Sequence, residues 1–337
     1  MATESKGRKR ARKASVNSAA AGLIDALKFV SVAQKKTGHV YQQHVVIKDG
    51  TITAFDGGLT VGQPIEEDFE ACPQSEFLAS ALAKCGESIS ISHGNNGRLT
   101  VQSGKFRANV PCAAFESMPL VLPDPNIAVI DNRLREAFAA VMGLATEGAA
   151  TVIEASILLQ AGSVVATNRT VILEYWHGID LPPGLVIPKA AAQAIVKTDR
   201  TLSGFGFSHS SATFWFDDGS FIKTQLFSEQ WPNVAAILNK NVNPWPLPDG
   251  FFDAVKAVAS FTKTGSLYFT DTAMLSHPDK TDGANYEIEG LAAGQAYNGK
   301  LLLLCEPHML NADFTSYNGQ CFFFGTNVRG AIAGITK

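Results

Sequence analysis

Histidine and cysteine are the residue types most able to bind a metal or attack a substrate, and their spacing here favours neither role. The seven histidines include no His-x-x-x-His pair, and the five cysteines include no Cys-x-x-Cys pair. Ser208-His209-Ser210 lacks the Gly-x-Ser-x-Gly elbow of hydrolases, and no Gly-x-x-x-x-Gly-Lys-Ser/Thr phosphate loop is present. We therefore predict no enzymatic activity, no cofactor and no metal site, and we interpret most of the cysteines as small buried apolar residues.

The basic residues are more informative, because many of them lie in one short segment. Six lysines and arginines occur in the first 13 residues against a single acid, Glu4, although the whole chain carries a net charge of −3. We predict that residues 1–17 form a disordered basic tail, since they are too polar to fold alone. Contact with nucleic-acid phosphates would explain this tail, and so would a localisation signal or a solubilising role; the sequence leaves both interpretations open.

Bulk composition indicates a globular protein. Of the 337 residues, 46% are hydrophobic and 18% are charged, which permits large buried cores. No apolar run approaches the roughly 18 residues of a membrane helix, and the N-terminus lacks the apolar middle of a signal peptide. We therefore expect a soluble intracellular protein that does not contact a membrane.

Two proline-bearing connectors divide the chain. Residues 120–131 (LVLPDPNIAVID) and 238–250 (LNKNVNPWPLPDG) are expected to be extended, because proline removes a backbone donor and restricts the residue before it. They leave three pieces of about 110 residues, a size suited to single domains. We predict domains at 18–123, 124–242 and 243–337.

The three pieces share one order of elements, which indicates an internal repeat. Each begins with an amphipathic helix, whose apolar residues recur at helical spacing, and continues with strands such as those flanking the Asp49-Gly50 turn. A second helix follows at 75–84, 188–197 and 298–305, and each piece ends in a hairpin. This pattern predicts an α+β fold of three similar domains, each with two helices packed on antiparallel sheet.

Four stretches carry a resemblance to a known family. They are GRLTVQSGKFRANVPCAAFESMP at 97–119, VVATNRTVIL at 164–173, VIPKAAAQAIV at 186–196 and FWFDDGSFIKTQLFSEQWPNVAAIL at 214–238. Each is weak alone and specific in combination. Together with the helix at 298–305 they resemble the bacterial DNA polymerase III beta subunit, the DNA sliding clamp, over about residues 18–337.

The sequence departs from this family at two segments. The family's Asp-Gly-His-Arg is replaced by Asn168-Arg169-Thr170-Val171, and the C-terminus reads GAIAGITK where the family has a Met-Pro-containing strand. Both segments help to build the family's partner-binding pocket. The resemblance therefore suggests a divergent clamp, such as a phage would encode, with a changed peptide preference.

The resemblance implies a non-enzymatic processivity factor in DNA replication. In this family two three-domain subunits close head to tail into a homodimeric ring, which encircles double-stranded DNA without reading its sequence and tethers the DNA polymerase. The polymerase and the clamp loader are expected to compete for one pocket, in the cytoplasm of a bacterial cell or a phage-infected host. The alternative is a structural or assembly protein of repeated clamp-like domains that does not bind DNA.

A basic lining of the ring is expected on the helices. Each of the six predicted helices has a basic residue assigned to it, and Lys189 and Lys197 lie eight residues apart on one helix, which suits weak, diffuse attraction to phosphates. Ordinary solvated helix faces also carry lysines, so this interpretation stays open beside the channel. The residues assigned to the channel are Lys28, Lys35, Lys84, Arg133, Arg135, Lys189, Lys197, Lys256, Lys263 and Lys300.

Matching to the family, residue by residue, implies two further sites. A partner-peptide pocket is expected between the middle and third domains, with Val152 and Ile172 as its members that would equally serve as core. A dimer interface is expected at a strand edge of the first domain, where Leu78 and Leu82 have the same core alternative. The pocket residues are Val152, Thr167, Thr170, Val171, Ile172, Pro232, Ala236, Ile237, Ile332 and Gly334. The interface residues are Leu78, Leu82, Lys105, Phe106 and Arg107.

Overall fold

The structure of the chain, a computed structural model, describes residues 18–67, 69–86, 88–94, 97–279 and 282–335. The predicted basic tail, 1–17, lies outside these residues. Within them, no helix is both long and apolar enough to span a membrane. Contacts divide the chain into two compact units: unit 1 runs to Leu122 and includes Asp218–Phe221, and unit 2 comprises Pro123–Asp217 and the chain from Ile222 onward.

Helices and antiparallel strands alternate along the chain. The helices are α1 (Ser18–Val30), α2 (Val40–Gln43), α3 (Ser75–Leu82), α4 (Asn132–Val141), α5 (Lys189–Lys197), α6 (Val234–Leu238), α7 (Phe251–Ala259) and α8 (Gly299–Cys305), with short 3₁₀ turns at Ser31–Ala33, Phe115–Ser117 and Glu306–His308. The strands of unit 1 are β1 (Val46–Lys48), β2 (Thr51–Phe55), β3 (Leu59–Pro64), β4 (Ser90–Gly94), β5 (Arg98–Ser103) and β6 (Phe106–Pro111). Those that follow are β7 (Ala128–Val129), β8 (Ser156–Leu159), β9 (Ser163–Thr167), β10 (Val171–Trp176), β11 (Leu185–Pro188), β12 (Leu202–Phe207), β13 (Ser211–Phe216), β14 (Phe221–Gln225), β15 (Trp245–Pro246), β16 (Ser266–Phe269), β17 (Ala273–Leu275), β18 (Asn285–Glu287), β19 (Ala296–Asn298), β20 (Asn311–Asp313), β21 (Gln320–Gly325) and β22 (Val328–Ala333).

Unit 1 is built from α1, α3 and two sets of antiparallel strands. Strands β1, β2 and β3 pair in order, and β4, β5 and β6 form a separate sheet. Asp49 and Gly50 join β1 to β2 with φ of 49° and 66°, the pair of left-handed residues that a type I′ hairpin requires. Leu23, Leu27 and Val30 are buried on one face of α1, and this helix packs against β2, β3 and α3.

The largest element of unit 2 is an antiparallel sheet of eight strands, in the order β11-β8-β9-β10-β22-β21-β20-β15. At its centre β10 pairs with β22 in the register Ile172↔Ala331 and Glu174↔Arg329. On its other side β22 pairs with β21. The C-terminal strand is therefore interior, and it joins residues from both sides of the predicted boundary at 242.

The helices of unit 2 pack in pairs on the sheets, α4 against α5 and α7 against α8. Leu134 and Phe138 are fully buried on α4. Phe251 of α7 and Phe269 of β16 belong to a cluster of aromatic rings. The centroids of neighbouring rings in this cluster are 5.4–6.0 Å apart. The predicted α+β class with antiparallel sheets is confirmed, whereas the division into domains at 18–123, 124–242 and 243–337 stays a prediction.

Candidate partner-binding cleft and basic helix faces

The turn between β9 and β10 is held by its own side chains. Thr167 Oγ1 donates to the Val171 carbonyl at 2.7 Å and accepts the Arg169 amide at 3.0 Å. Asn168 Oδ1 accepts the amides of Thr170 at 3.1 Å and Val171 at 2.7 Å. These bonds hold Arg169 at a φ of 70°, in the left-handed region. The turn therefore presents the Arg169 and Thr170 side chains to solvent.

A mostly apolar cleft of about 380 Å³ opens beside this turn. It lies along β10, β22 and β21, and Pro232 and Ile237 come from the segment that forms α6. Its volume is within the range of about 300–1,000 Å³ that is typical of ligand pockets. Its lining comprises Ile153, Thr167, Arg169, Thr170, Ile172, Pro232, Ile237, Gln320, Phe322, Ala331, Ile332 and Ala333.

The Trp231-Pro232-Asn233 segment fixes one wall of the apolar cleft. Trp231 is buried, and its indole Nε1 donates to Ser156 Oγ at 3.2 Å, as a buried indole N–H requires. Asn233 caps α6, because its Oδ1 accepts the Ala236 amide at 3.1 Å. Pro232 lies between the buried Trp231 ring and the Asn233 cap, so the bonds of these two neighbours fix its position in the cleft wall.

A second cleft, of about 540 Å³, shares Pro232 with the apolar cleft and is more polar. One side of it is formed by Glu174 and Arg329, which make an ion pair of 2.7 Å across β10 and β22. Ser163 Oγ donates to the remaining oxygen of Glu174 at 2.7 Å. Arg329 also lies 5.1 Å from the centroid of the Trp176 ring. The charges on this side of the polar cleft are therefore already compensated.

The ten predicted channel cations fall into two groups. Six make no side-chain hydrogen bond or ion pair with any residue that the structure describes, and all six are exposed. Of these six, Lys35, Lys84 and Lys263 lie beyond the ends of α1, α3 and α7; for these three, the predicted position on a helix is wrong. The six are Lys28, Lys35, Lys84, Lys197, Lys263 and Lys300.

The other four channel residues are bonded within unit 2. Lys189 Nζ donates to the Ala145 carbonyl at 2.6 Å, and Lys256 pairs with Glu306 at 2.6 Å. Arg133 makes an ion pair with Asp131 at 2.8 Å. Arg135 Nε donates to the Ile195 carbonyl at 3.2 Å, and burial lowers the pKa of its guanidinium. These four side chains are less available to phosphates than the six unbonded ones.

The predicted interface residues divide into two buried leucines and an exposed strand edge. Leu78 and Leu82 are 0% and 1% exposed inside unit 1, so they have no surface to offer a second subunit; the core alternative is correct for both. Strand β6 is the outer strand of the β4-β5-β6 sheet. Lys105 and Arg107 are exposed at its start, and Phe106 is half-buried. Among the described residues, Phe106–Val110 pair with β5 and with no other strand, whereas the Pro111 carbonyl at the end of β6 accepts the Gln74 amide at 2.9 Å.

The fold of the chain matches those of solved proteins, although its sequence matches no family model. No protein-family model and no curated protein matches the sequence. The solved DNA polymerase III subunit beta from Pseudomonas aeruginosa is 14% identical, with a TM-score of 0.77 over 94% of this chain and 98% of that one. The sliding clamp from Caulobacter crescentus is 15% identical, with a TM-score of 0.78 over 94% and 98%. The Helicobacter pylori beta clamp bound to DNA ligase peptide is 17% identical, with a TM-score of 0.75 over 95% and 99%.

The chain has the sliding-clamp fold. This confirms the fold that the sequence motifs predicted, although only about one residue in six is shared with these clamps. The match extends over 94% of this chain and 98% of each of these two solved chains.

Within the clamp fold, six of the ten predicted pocket residues line the apolar cleft: Thr167, Thr170, Ile172, Pro232, Ile237 and Ile332. The other four lie elsewhere. Val152 packs against the core cluster below the cleft, and Val171 is fully buried. Ala236 is exposed on α6, and Gly334 lies against the backbone of Gly319. Whether the six bind a partner stays a prediction.

Sequence reasoning missed six residues of the lining. Two of them, Gln320 and Phe322, lie two apart on β21, so the alternation of side chains along a strand places them on one face. Applying that period to the last hairpin would have found them. Arg169 gave no periodic signal, because it lies in a turn. The missed residues are Ile153, Arg169, Gln320, Phe322, Ala331 and Ala333.

Proposed function

We propose that this chain is a DNA polymerase processivity factor: a ring-shaped sliding clamp that encircles duplex DNA and tethers the polymerase during replication. The observation that carries the proposal is the likeness to solved sliding clamps over 94% of this chain and 98% of theirs. The protein acts as a scaffold, without catalysis, in the cytoplasm of a bacterial cell or a phage-infected host.

Electrostatics support binding to DNA without sequence readout. The six unbonded lysines are exposed on or just beyond helices, although the chain as a whole has a net charge of −3. Isolated lysines attract phosphates diffusely, and a clamp needs this kind of contact because it must slide. The structural or assembly role without DNA would not require these lysines.

Ring closure is proposed at β6, in a head-to-tail homodimer of two chains. An outer strand with unbonded amides and carbonyls is a template for pairing with another chain. Repeating one such contact by a twofold rotation closes a ring. Lys105, Phe106 and Arg107 are the residues of this edge that contact the neighbour under the proposal.

Partner proteins are proposed to bind in the apolar cleft. A short peptide placing apolar side chains against Ile172, Pro232 and Ile237 would bury those side chains from water. The Helicobacter pylori clamp, which has this fold, was solved bound to DNA ligase peptide. The DNA polymerase and the clamp loader are the proposed ligands here, and they compete because the cleft holds one peptide at a time.

The proposal is tested by comparing retention of the protein on circular DNA and on the same DNA after it has been cut. The protein is mixed at low concentration with nicked circular plasmid DNA, concentrated so that open subunits close around it, and separated from free protein by gel filtration. Half of the complexes are then cut once with a restriction enzyme. We expect retention on circles and loss after cutting, because a ring slides off free ends. Blocking both ends with a bulky bound protein should restore retention.

Two outcomes would argue against the proposal. Equal retention on circular and cut DNA would indicate an ordinary DNA-binding protein. No retention on either form, from a protein that is folded and dimeric, would favour the structural or assembly role.

A further inference from the structure

Arg169 is the charged residue of the apolar cleft. Among the described residues that line this cleft, it alone carries a charge. Its φ of 70° is uncommon for a residue with a side chain. Such conformations persist where the surrounding structure holds them, and they cluster at functional sites. Here the side chains of Thr167 and Asn168 hold the turn.

The guanidinium group of Arg169 is only partly engaged. Its Nε lies 3.1 Å from Glu154 Oε2, and the Arg169 side chain is 64% exposed, against 24% for Glu154. The same Glu154 oxygen accepts a hydrogen bond from Thr151 at 2.6 Å. The Nε of Arg169 therefore faces Glu154. The two Nη atoms donate no hydrogen bond to any residue that the structure describes, and this edge of the guanidinium is available to a ligand.

We propose that Arg169 binds a side-chain carboxylate of the partner segment, so that the cleft selects peptides with Asp or Glu beside their apolar residues. This rests on the proposed function in taking the cleft as the partner site. A guanidinium fork matches the two oxygens of a carboxylate, and the charge makes these hydrogen bonds stronger than neutral ones. The apolar walls bind the neighbouring side chains.

The turn favours an acidic side chain over the C-terminal carboxylate of a partner. Capture of a chain terminus uses free backbone amides. The amides of Arg169, Thr170 and Val171 are all bonded to Thr167 or Asn168. Among the groups of this turn, the guanidinium of Arg169 is therefore the one that can recognise a negative charge. A flexible Asp or Glu side chain can reach it from an internal peptide position.

Glu154 competes with the ligand for Arg169. The two carboxylates cannot both take the same face of the guanidinium, because like charges repel at this distance. Removing the charge of Glu154 should therefore strengthen binding of acidic peptides. It should leave binding of neutral peptides unchanged, since Glu154 does not line the cleft.

The test uses matched synthetic peptides and the full chain. The probes are acetylated, amidated hexapeptides with an adjacent Leu-Phe pair and with Asp or its isostere Asn at each other position, read by fluorescence anisotropy. At the best position we expect the Asp peptide to bind about fivefold tighter than its Asn twin. This preference should weaken as salt rises.

Three variants identify the residue responsible. Arg169→Gly suits the left-handed turn and should bring the affinities for the Asp peptide and its Asn twin to the same value. Arg169→Lys should keep part of it, and Glu154→Gln should increase it. Equal affinity for Asp and Asn at every position, or a preference that survives in Arg169→Gly, would overturn the assignment. A free C-terminal carboxylate that replaces Asp without loss would overturn the choice of a side chain.

The DNA-retention experiment separates this inference from the proposed function. Arg169→Gly should be retained on circular DNA like the unchanged chain, because Arg169 lies neither on the basic helices nor on β6. Failure of the unchanged chain on circles would contradict the clamp and leave the peptide result standing. Absence of an Asp preference in the unchanged chain, or its survival in Arg169→Gly, would contradict only the role of Arg169.

Discussion

Glu174 on β10 and Arg329 on β22 form an ion pair that holds the C-terminal strand in the eight-stranded sheet. Arg329 Nε and Nη2 lie 2.8 and 2.7 Å from Glu174 Oε2, across the pairing of β10 with β22. Asn239 accepts a further bond from Arg329 at 2.7 Å. The two strands belong to segments that the sequence assigned to different domains, so this pair links them within one sheet.

Removing one member of the Glu174–Arg329 pair should destabilise the chain. We expect Glu174→Ala to lower the free energy of unfolding by about 3 kcal/mol, because a largely buried arginine would lose its counter-charge. The double variant Glu174→Leu with Arg329→Met should recover most of this loss. Urea denaturation measures both. Glu229→Ala, at an exposed carboxylate of the polar cleft, is the control and should change stability by less than about 0.5 kcal/mol.

Much of the fold could be predicted from local signals. Asp49-Gly50 predicted a tight hairpin, and the left-handed φ values of both residues are the physical reason. The apolar spacing of Leu23, Leu27 and Val30 predicted the buried face of α1. These signals are strong because they depend on neighbours along the chain.

The errors arose where the sequence pattern fits two structures. The apolar residues Leu78 and Leu82 suit a core and an interface equally, and only their burial in unit 1 decides. Lys263 follows Lys256 by seven residues, but α7 ends at Ala259, and spacing alone does not show where a helix stops. Arg169 was missed because no periodicity predicts a left-handed residue that is not glycine.

A charge placed in the apolar cleft should block partner binding without unfolding the chain. Ile237 is 37% exposed at the cleft, so Ile237→Arg can be accommodated with little loss of stability, while the new charge opposes burial of an apolar ligand. We expect at least about a tenfold loss of affinity for the tightest hexapeptide. The matched control is Ile127→Arg, at an exposed isoleucine outside the cleft. Equal losses in both variants would place the peptide elsewhere.

The edge of β6 should control assembly, and the buried leucines should not. Phe106→Arg is expected to shift the protein from dimer to monomer in light scattering, because the new charge would oppose burial at the strand edge. Leu78→Ala should instead lower the free energy of unfolding by about 3 kcal/mol through the cavity it leaves, with an unchanged mass for the folded fraction. A dimer that survives Phe106→Arg would place ring closure at another surface.

A lysine that already donates to an oxygen of the chain should contribute less to DNA affinity than a lysine that does not. Lys197 on α5 and Lys300 on α8 make no side-chain bond to any residue that the structure describes. Lys189 on α5 and Lys256 on α7 are bonded to Ala145 and Glu306. The double variants Lys197→Ala with Lys300→Ala, and Lys189→Ala with Lys256→Ala, remove the same charge from comparable helices.

Each phosphate contact contributes about 0.9 to the slope of log affinity against log salt. We therefore expect the Lys197/Lys300 variant to reduce that slope by up to about 0.9 for each lysine, measured by anisotropy on a nicked duplex. The Lys189/Lys256 variant should reduce it less, because its lysines already donate to protein oxygens, and should lose about 1 kcal/mol of stability with the Lys189 hydrogen bond. Equal slopes for the two variants would show that bonding within the chain does not limit contact with DNA. An unchanged slope in both would place these helices away from the DNA.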